Sequence, residues 1–173
     1  MARMIEAFAA ALLLGGINTL ADFISSEMRL QAKPIYMFAR IALICYCVGG
    51  IVGARAKQLM IGTIGGVMIG ALVAGAYYFL APSMGTQSAL GVAWALFWIS
   101  FSLLDALMQG GASFAGALFQ GAVAAVLSAG FYLALNGFWP KMSSNDDLWL
   151  LKVGTTWAAA FFPGFVVLFW RRL

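Results

Sequence analysis

From Leu59 to Leu80 the chain runs LMIGTIGGVMIGALVAGAYYFL, twenty-two residues without a charge or a proline. A helix needs about 20 apolar residues to cross the hydrocarbon core of a bilayer. In water this helix has no polar face to turn outward, whereas in lipid it needs none. Gly62, Gly66 and Gly70 fall four apart, so they share one helical face. Such a bare stripe admits close approach of a second backbone.

The rest of the chain agrees with a membrane solvent. Of 173 residues, 64 % are hydrophobic and only 9 % charged, against about 25 % charged in soluble domains. The net charge of +4 does not point to nucleic acid. The bases stand singly or in pairs beside apolar segments, where topology and anionic lipid account for them. The absence of histidine removes the common haem, zinc and proton-shuttle designs. Cys45 and Cys47 stand two apart in an apolar run. That is not the spacing of a redox pair, and a buried, inert pair is expected. No metal or cofactor is expected.

Six apolar runs make an all-α fold: a polytopic membrane domain spanning 1–173, with helices at about 5–24, 35–52, 59–80, 89–108, 113–135 and 148–170. The first run lacks a clean small-x-small cleavage site and reads as a spanning helix rather than a signal peptide. It carries Asn18 and Asp22 on one face. These form either a polar notch in the bundle interior or a helix end near the interface with one interhelical hydrogen bond. Arg40 lies one to two turns into the second helix. It either snorkels toward Pro34, pairs with Asp22 or Glu27, or meets a ligand or headgroup. Gly49, Gly50 and Gly53 thin the end of that helix, and Arg55 and Lys57 follow without a compensating acid nearby. A turn is expected at Ala81–Ser88, around Pro82 and Gly85.

The fourth helix is crowded by Trp94, Phe97, Trp98 and Phe101 and closes on Asp105, followed by Gln109. Asp105 either caps the helix, holds a loop or partner, or relays protons; no second acid or base stands near it in sequence. In the fifth helix Ser113, Ala117, Gly121, Ala125 and Ala129 form a second stripe of small side chains. Two such stripes predict close packing within a bundle or a homo-oligomer seam. Gln120, beside the stripe, is placed to bridge to a neighbouring helix. Pro163-Gly164 is expected to kink the sixth helix. No soluble domain is expected after Arg171-Arg172-Leu173.

An even number of spans puts both ends on one side, with Arg3, Arg55, Lys57, Arg171 and Arg172. The other side carries Arg29, Lys33, Lys141 and Lys152, together with Glu27, Asp146 and Asp147. The positive-inside rule counts bases and favours cytoplasmic termini in an inner (plasma) membrane.

The motifs of metalloproteases, serine hydrolases, nucleotide-binding proteins and thiol oxidoreductases are missing. Asp22 and Asp105 fall on opposite sides of the bilayer and do not form an acid pair. The chain reads as a non-enzymatic membrane protein with an intramembrane cavity for an apolar lipid. Alternatives are the substrate-binding membrane subunit of a vitamin-type transporter, which supplies a surface for another membrane protein, and a structural subunit.

Two segments carry a family resemblance. LFWISFSLLDALMQGGASFAGALF (Leu96–Phe119) resembles the fourth-to-fifth helix junction of the insulin-induced-gene (INSIG) family. There an aromatic helix ends at an aspartate, followed by a small-residue turn and a glycine-rich helix. LWLLKVGTTWAAAFFPGFVVLFWRRL (Leu148–Leu173) resembles that family's closing helix, with Trp157, Phe161, Phe162 and Gly164 at the family's relative spacing. The first half departs from the pattern: the tryptophan- and proline-rich start of the second helix is missing, and Arg40 is additional. The resemblance implies a six-helix bundle with a central cavity that holds a diacylglycerol or sterol-like lipid. It also implies that Asp105 matches the family's functional aspartate on the cytosolic side.

Overall fold

The computed structural model describes residues 2–28, 34–110, 113–138 and 148–170. It contains six helices: α1 (Ala2–Glu27), α2 (Pro34–Arg55), α3 (Leu59–Met84), α4 (Thr86–Gln109), α5 (Phe114–Phe138) and α6 (Trp149–Phe169). No strand occurs among the described residues, and all six helices are long and apolar enough to cross a membrane. The chain is an all-α, multi-pass membrane protein. Arg29, Lys33, Gly111, Trp139, Pro140, Lys141, Asn145, Asp146, Asp147, Arg171 and Arg172 lie outside the described residues.

The first five helices run longer than the apolar runs that predict them, and α6 falls one residue short at each end. The expected turn at Ala81–Ser88 shrinks to one residue, Gly85, between α3 and α4. Its φ of +82° is costly for a side chain but open to glycine. Pro82 falls in the last turn of α3, where little helix remains to be disrupted. Pro163 does not break α6, which is helical from Trp149 to Phe169.

Consecutive helices pack side by side from α2 through to α6, and α6 returns against α1. The ring closes only loosely between α1 and α2. The tightest pair, α2–α3, is built from glycine on both helices. A Cβ on Gly49 would stand 2.2 Å from the Gly62 carbonyl oxygen, and one on Gly66 2.3 Å from that of Cys45. Gly53 faces Gly62, and Gly70 faces Ala42. The stripe on α3 is thus used up within the chain. So is the middle of the stripe on α5: a Cβ on Gly121 would stand 2.5 Å from Ile99 Cα on α4, and Ala117 and Ala125 are buried, whereas Ser113 is exposed and Ala129 half-buried.

The core contains Leu14, Val48, Val52, Trp98, Phe101, Phe161 and Phe165. Gly164 lets the Trp98 indole lie flat on α6, because a Cβ there would stand 2.1 Å from the ring. Polar side chains close the bundle at the end carrying the start of α1. Arg55 pairs with Glu6 and lies 3.8 Å from the centroid of the Phe169 ring. The acid missing near Arg55 in sequence is therefore supplied from α1. Gln58 donates to the Met108 carbonyl at 2.8 Å. Gln120 donates to the carbonyl of Val167 at 2.7 Å, adding to the longer bond which that last-turn acceptor takes from the Trp170 N–H at 3.3 Å.

Candidate functional site

The polar residues of α1 and α2 meet inside the bundle. Asn18 and Asp22 stand one helical turn apart on α1, and Arg40 reaches them from α2. Arg40 donates Nε–H and Nη2–H to Asn18 Oδ1 at 3.0 and 2.8 Å, and Nη1–H to Asp22 Oδ1. The second Asp22 oxygen accepts from Trp157 Nε1 of α6 at 2.7 Å. The guanidinium also lies 5.4 Å from the centroid of the Trp157 ring, within cation–π range. Arg40 therefore pairs across the bundle, and Asn18 and Asp22 form the interior notch.

This cluster is deep. At 1.5 Å per residue, Arg40 is about 9 Å from the start of α2 and Trp157 about 12 Å from the start of α6. Asn18 is about 14 Å from the end of α1 by the same rise. The Arg40 side chain is 10 % exposed and that of Asp22 25 %. An ion pair at that depth costs desolvation that its attraction need not repay. Its partners answer the charge locally: Asp22 accepts on both oxygens, and Arg40 is held by one carboxylate, one amide and one ring face.

The cluster forms one wall of a half-enclosed cavity of about 240 Å³. All six helices contribute. Beyond Asn18 and Arg40 the lining is apolar and aromatic, including Ile44, Cys45, Ala93, Phe97 and Phe161. Trp94 stacks on Phe97 with centroids 5.7 Å apart, and lies 5.3 Å from Phe161 and 6.3 Å from Trp157. Tyr132 of α5 stands 5.6 Å from Trp157. The cavity lies in the half of the bundle away from the start of α1.

Of the residues singled out by sequence, Asn18, Asp22, Arg40, Trp157 and Phe161 come together here. Gly62, Gly66, Gly70, Ala117, Gly121 and Ala125 pack helix on helix instead. Phe162 turns to α1, edge-on to Phe8 at 6.0 Å, and Gly164 seats Trp98. Asp105 is buried at the opposite end of the bundle and accepts from Gln109. Sequence reasoning missed Ile44, Cys45, Val73, Tyr77, Ala93 and Tyr132 as cavity residues. Nothing in their spacing distinguishes them from lipid-facing or core positions. Trp94 and Phe97 had a signal, being three apart in an unusually aromatic helix.

Two buried donors at this site have no protein partner among the described residues: Asn18 Nδ2 and Trp94 Nε1. The site contains no cluster of histidine, cysteine or carboxylate side chains fit to hold a metal, and none occurs elsewhere among the described residues. Comparison with protein-family models, curated proteins and solved structures finds no match.

Proposed function

We propose that this protein binds one end of an apolar lipid in its intramembrane cavity, as a non-enzymatic membrane component. The observation that carries this reading is the part-buried Asp22–Arg40 pair, with Asn18 and Trp157, set in the wall of an otherwise apolar cavity. Ionisable groups at membrane depth are expensive and by default mark a functional site. An apolar cavity with few fixed polar groups is the ordinary form of a small-molecule site. At about 240 Å³ it falls just below the roughly 300–1,000 Å³ of pockets that enclose drug-sized ligands. One end of a lipid therefore enters, and the remainder stays in the bilayer. The resemblance to the INSIG family supports a diacylglycerol or sterol-like occupant, and an INSIG-like relationship belongs to this proposal. So do an inner-membrane location and cytoplasmic termini, which set the cavity in the half away from the cytoplasm.

The same volume favours a second reading, the substrate-binding subunit of a small-solute transporter. A single ring system would fit whole among Trp94, Phe97, Tyr132, Trp157 and Phe161.

Native mass spectrometry of the protein purified in mild detergent, with extraction of what co-purifies, tests both. The lipid reading expects an apolar lipid at one per chain, with occupancy lowered by Ala93→Leu, which fills the cavity. A water-soluble compound held one per chain instead overturns it in favour of the second. Bulky residues at Gly66 or Gly121 would not serve, because those positions hold helices together.

A further inference from the structure

The unpartnered donors say what the occupant must present. The orientation of the Asn18 amide is fixed by chemistry: Oδ1 accepts two N–H groups from Arg40. Turning the amide over would set its NH₂ against those donors. Its Nδ2 is therefore a donor without a protein acceptor, in a residue only 1 % exposed. Trp94 Nε1 is likewise buried and unpartnered. Its ring is fixed by Phe97, Phe161 and Trp157, so the N–H does not swing elsewhere. Both residues line the cavity, and both are tied to Trp157: Trp94 lies 6.3 Å from its ring, and Asn18 holds the Arg40 guanidinium that lies over it. Buried donors in native proteins find acceptors.

The charge of the wall decides between acceptors. Arg40 is answered by Asp22, so the cluster is close to neutral. An entering carboxylate or phosphate would meet the Asp22 charge and a guanidinium already committed, and an uncompensated charge at this depth is costly. We infer that the cavity selects an uncharged acceptor oxygen on an apolar body, an ester or ketone carbonyl, received by Asn18 Nδ2 and Trp94 Nε1. This rests on the proposal that the cavity binds a ligand, and the carbonyl can come from an ester lipid or from a small neutral metabolite.

Quenching of tryptophan fluorescence tests it. The full chain in detergent is titrated with terminally brominated methyl decanoate, brominated decane and brominated decanoate, with concentrations taken relative to detergent. The ester is expected to quench at about a tenfold lower mole fraction than the alkane, the range of one to two net hydrogen bonds. Decanoate is expected to do no better than the alkane. Trp94→Phe keeps a ring and removes the N–H; Asn18→Asp keeps the Arg40 acceptor and removes the donor. Each should narrow the ester preference severalfold, read as the ratio of the ester and alkane midpoints because Trp94 is itself one of the quenched rings, and the tryptophan variant does not depend on the polar cluster for folding. Equal, saturable quenching by ester and alkane would overturn the inference while leaving a lipid-binding cavity. Tightest quenching by decanoate would overturn it in favour of an anion site. Quenching by none of the three to saturation would remove the lipid proposal itself. Extraction then separates the sources: a co-purified ester lipid or a soluble carbonyl compound supports the inference, and only the first supports the lipid reading.

Discussion

Arg40 Nε and Nη2 converge on a single oxygen, Asn18 Oδ1, at 3.0 and 2.8 Å, and so bolt α2 to α1 where the two helices otherwise barely touch. Tyr36, one turn nearer the start of α2, adds a hydrogen bond to the Ala21 carbonyl at 2.5 Å. Neighbouring helices elsewhere in the ring pack on small residues or aromatic rings. Here polar side chains span the separation, and the space left behind them is part of the cavity.

Removing one member of the pair should be worse than removing both. Arg40→Leu leaves Asp22 with a lone Trp157 partner, and Asp22→Leu leaves a buried guanidinium; breaking one side of such a pair costs about 3–5 kcal/mol. The double variant leaves no orphaned charge and should recover much of that loss. Thermal unfolding of the three variants in one detergent measures it. Equal destabilisation by the double and the singles would mean that the pair acts by shape rather than charge. Arg40→Lys should behave as a loss, since an ammonium cannot hold Asn18 and Asp22 together by a planar fork.

The helices were legible because apolar length alone forces them in lipid: an uncharged run such as Leu59–Leu80 has no other stable form there. Their ends were less so, since Pro82 reads as a breaker but is tolerated in a final turn. The face shared by Asn18 and Asp22 was legible from their spacing, and Arg40 was a recognisable partner. Trp157 as the fourth member was not, because it lies 135 residues from Asp22 and only the closing of the ring joins them. Nor was the answer to Arg55 legible, since Glu6 is 49 residues away. Both small-residue stripes were visible, but their partners were not: four-residue spacing names a face and says nothing about what it meets.

The α2–α3 contact gives a sharp contrast between glycines. Gly49→Ala drives a Cβ into the Gly62 carbonyl oxygen, with Gly66 Cα 2.8 Å away. Both obstacles are backbone, so the helices must part, at about 1–3 kcal/mol for overpacking. Gly75→Ala, on the partner helix α3, meets nothing within 4 Å. It should be neutral or stabilising by about 0.4–1 kcal/mol through the unfolded chain. Melting midpoints that fall alike for both would mean that the helices are apart in the protein as purified.

The end of α2 carries a correctable strain. Lys57 N–H bonds the Ala54 carbonyl and Gln58 N–H the Gly53 carbonyl, the reciprocal pair of a Schellman cap. That motif puts Lys57 at φ +58°, where a side chain costs about 1–2 kcal/mol and glycine is at ease. Lys57→Gly should therefore raise stability by about 1 kcal/mol. Lys57→Ala, which keeps the Cβ, should not. A rise with alanine as large as with glycine would assign the gain to the lost charge rather than to the backbone.

Trp98 and Gly164 should behave as one unit. The indole stands edge-on to Phe97, Phe165 and Phe161, and its six-membered ring occupies the space a Gly164 Cβ would need. Gly164→Ala must push the indole toward Phe97 and Phe161, which line the cavity. The expected cost is about 1–3 kcal/mol, together with weaker retention of any co-purifying ligand. Trp98→Leu alone leaves a void and should cost at the upper end of the range for large-to-small core changes, about 3–5 kcal/mol. In the double variant the new methyl occupies part of that void, so the two costs should fall short of additivity by about 1 kcal/mol or more, as they do for residues in contact. A double-mutant cycle on thermal unfolding reads the coupling directly. Strict additivity would show that Gly164 serves α6 itself, by accommodating the turn after Pro163, rather than the seating of Trp98.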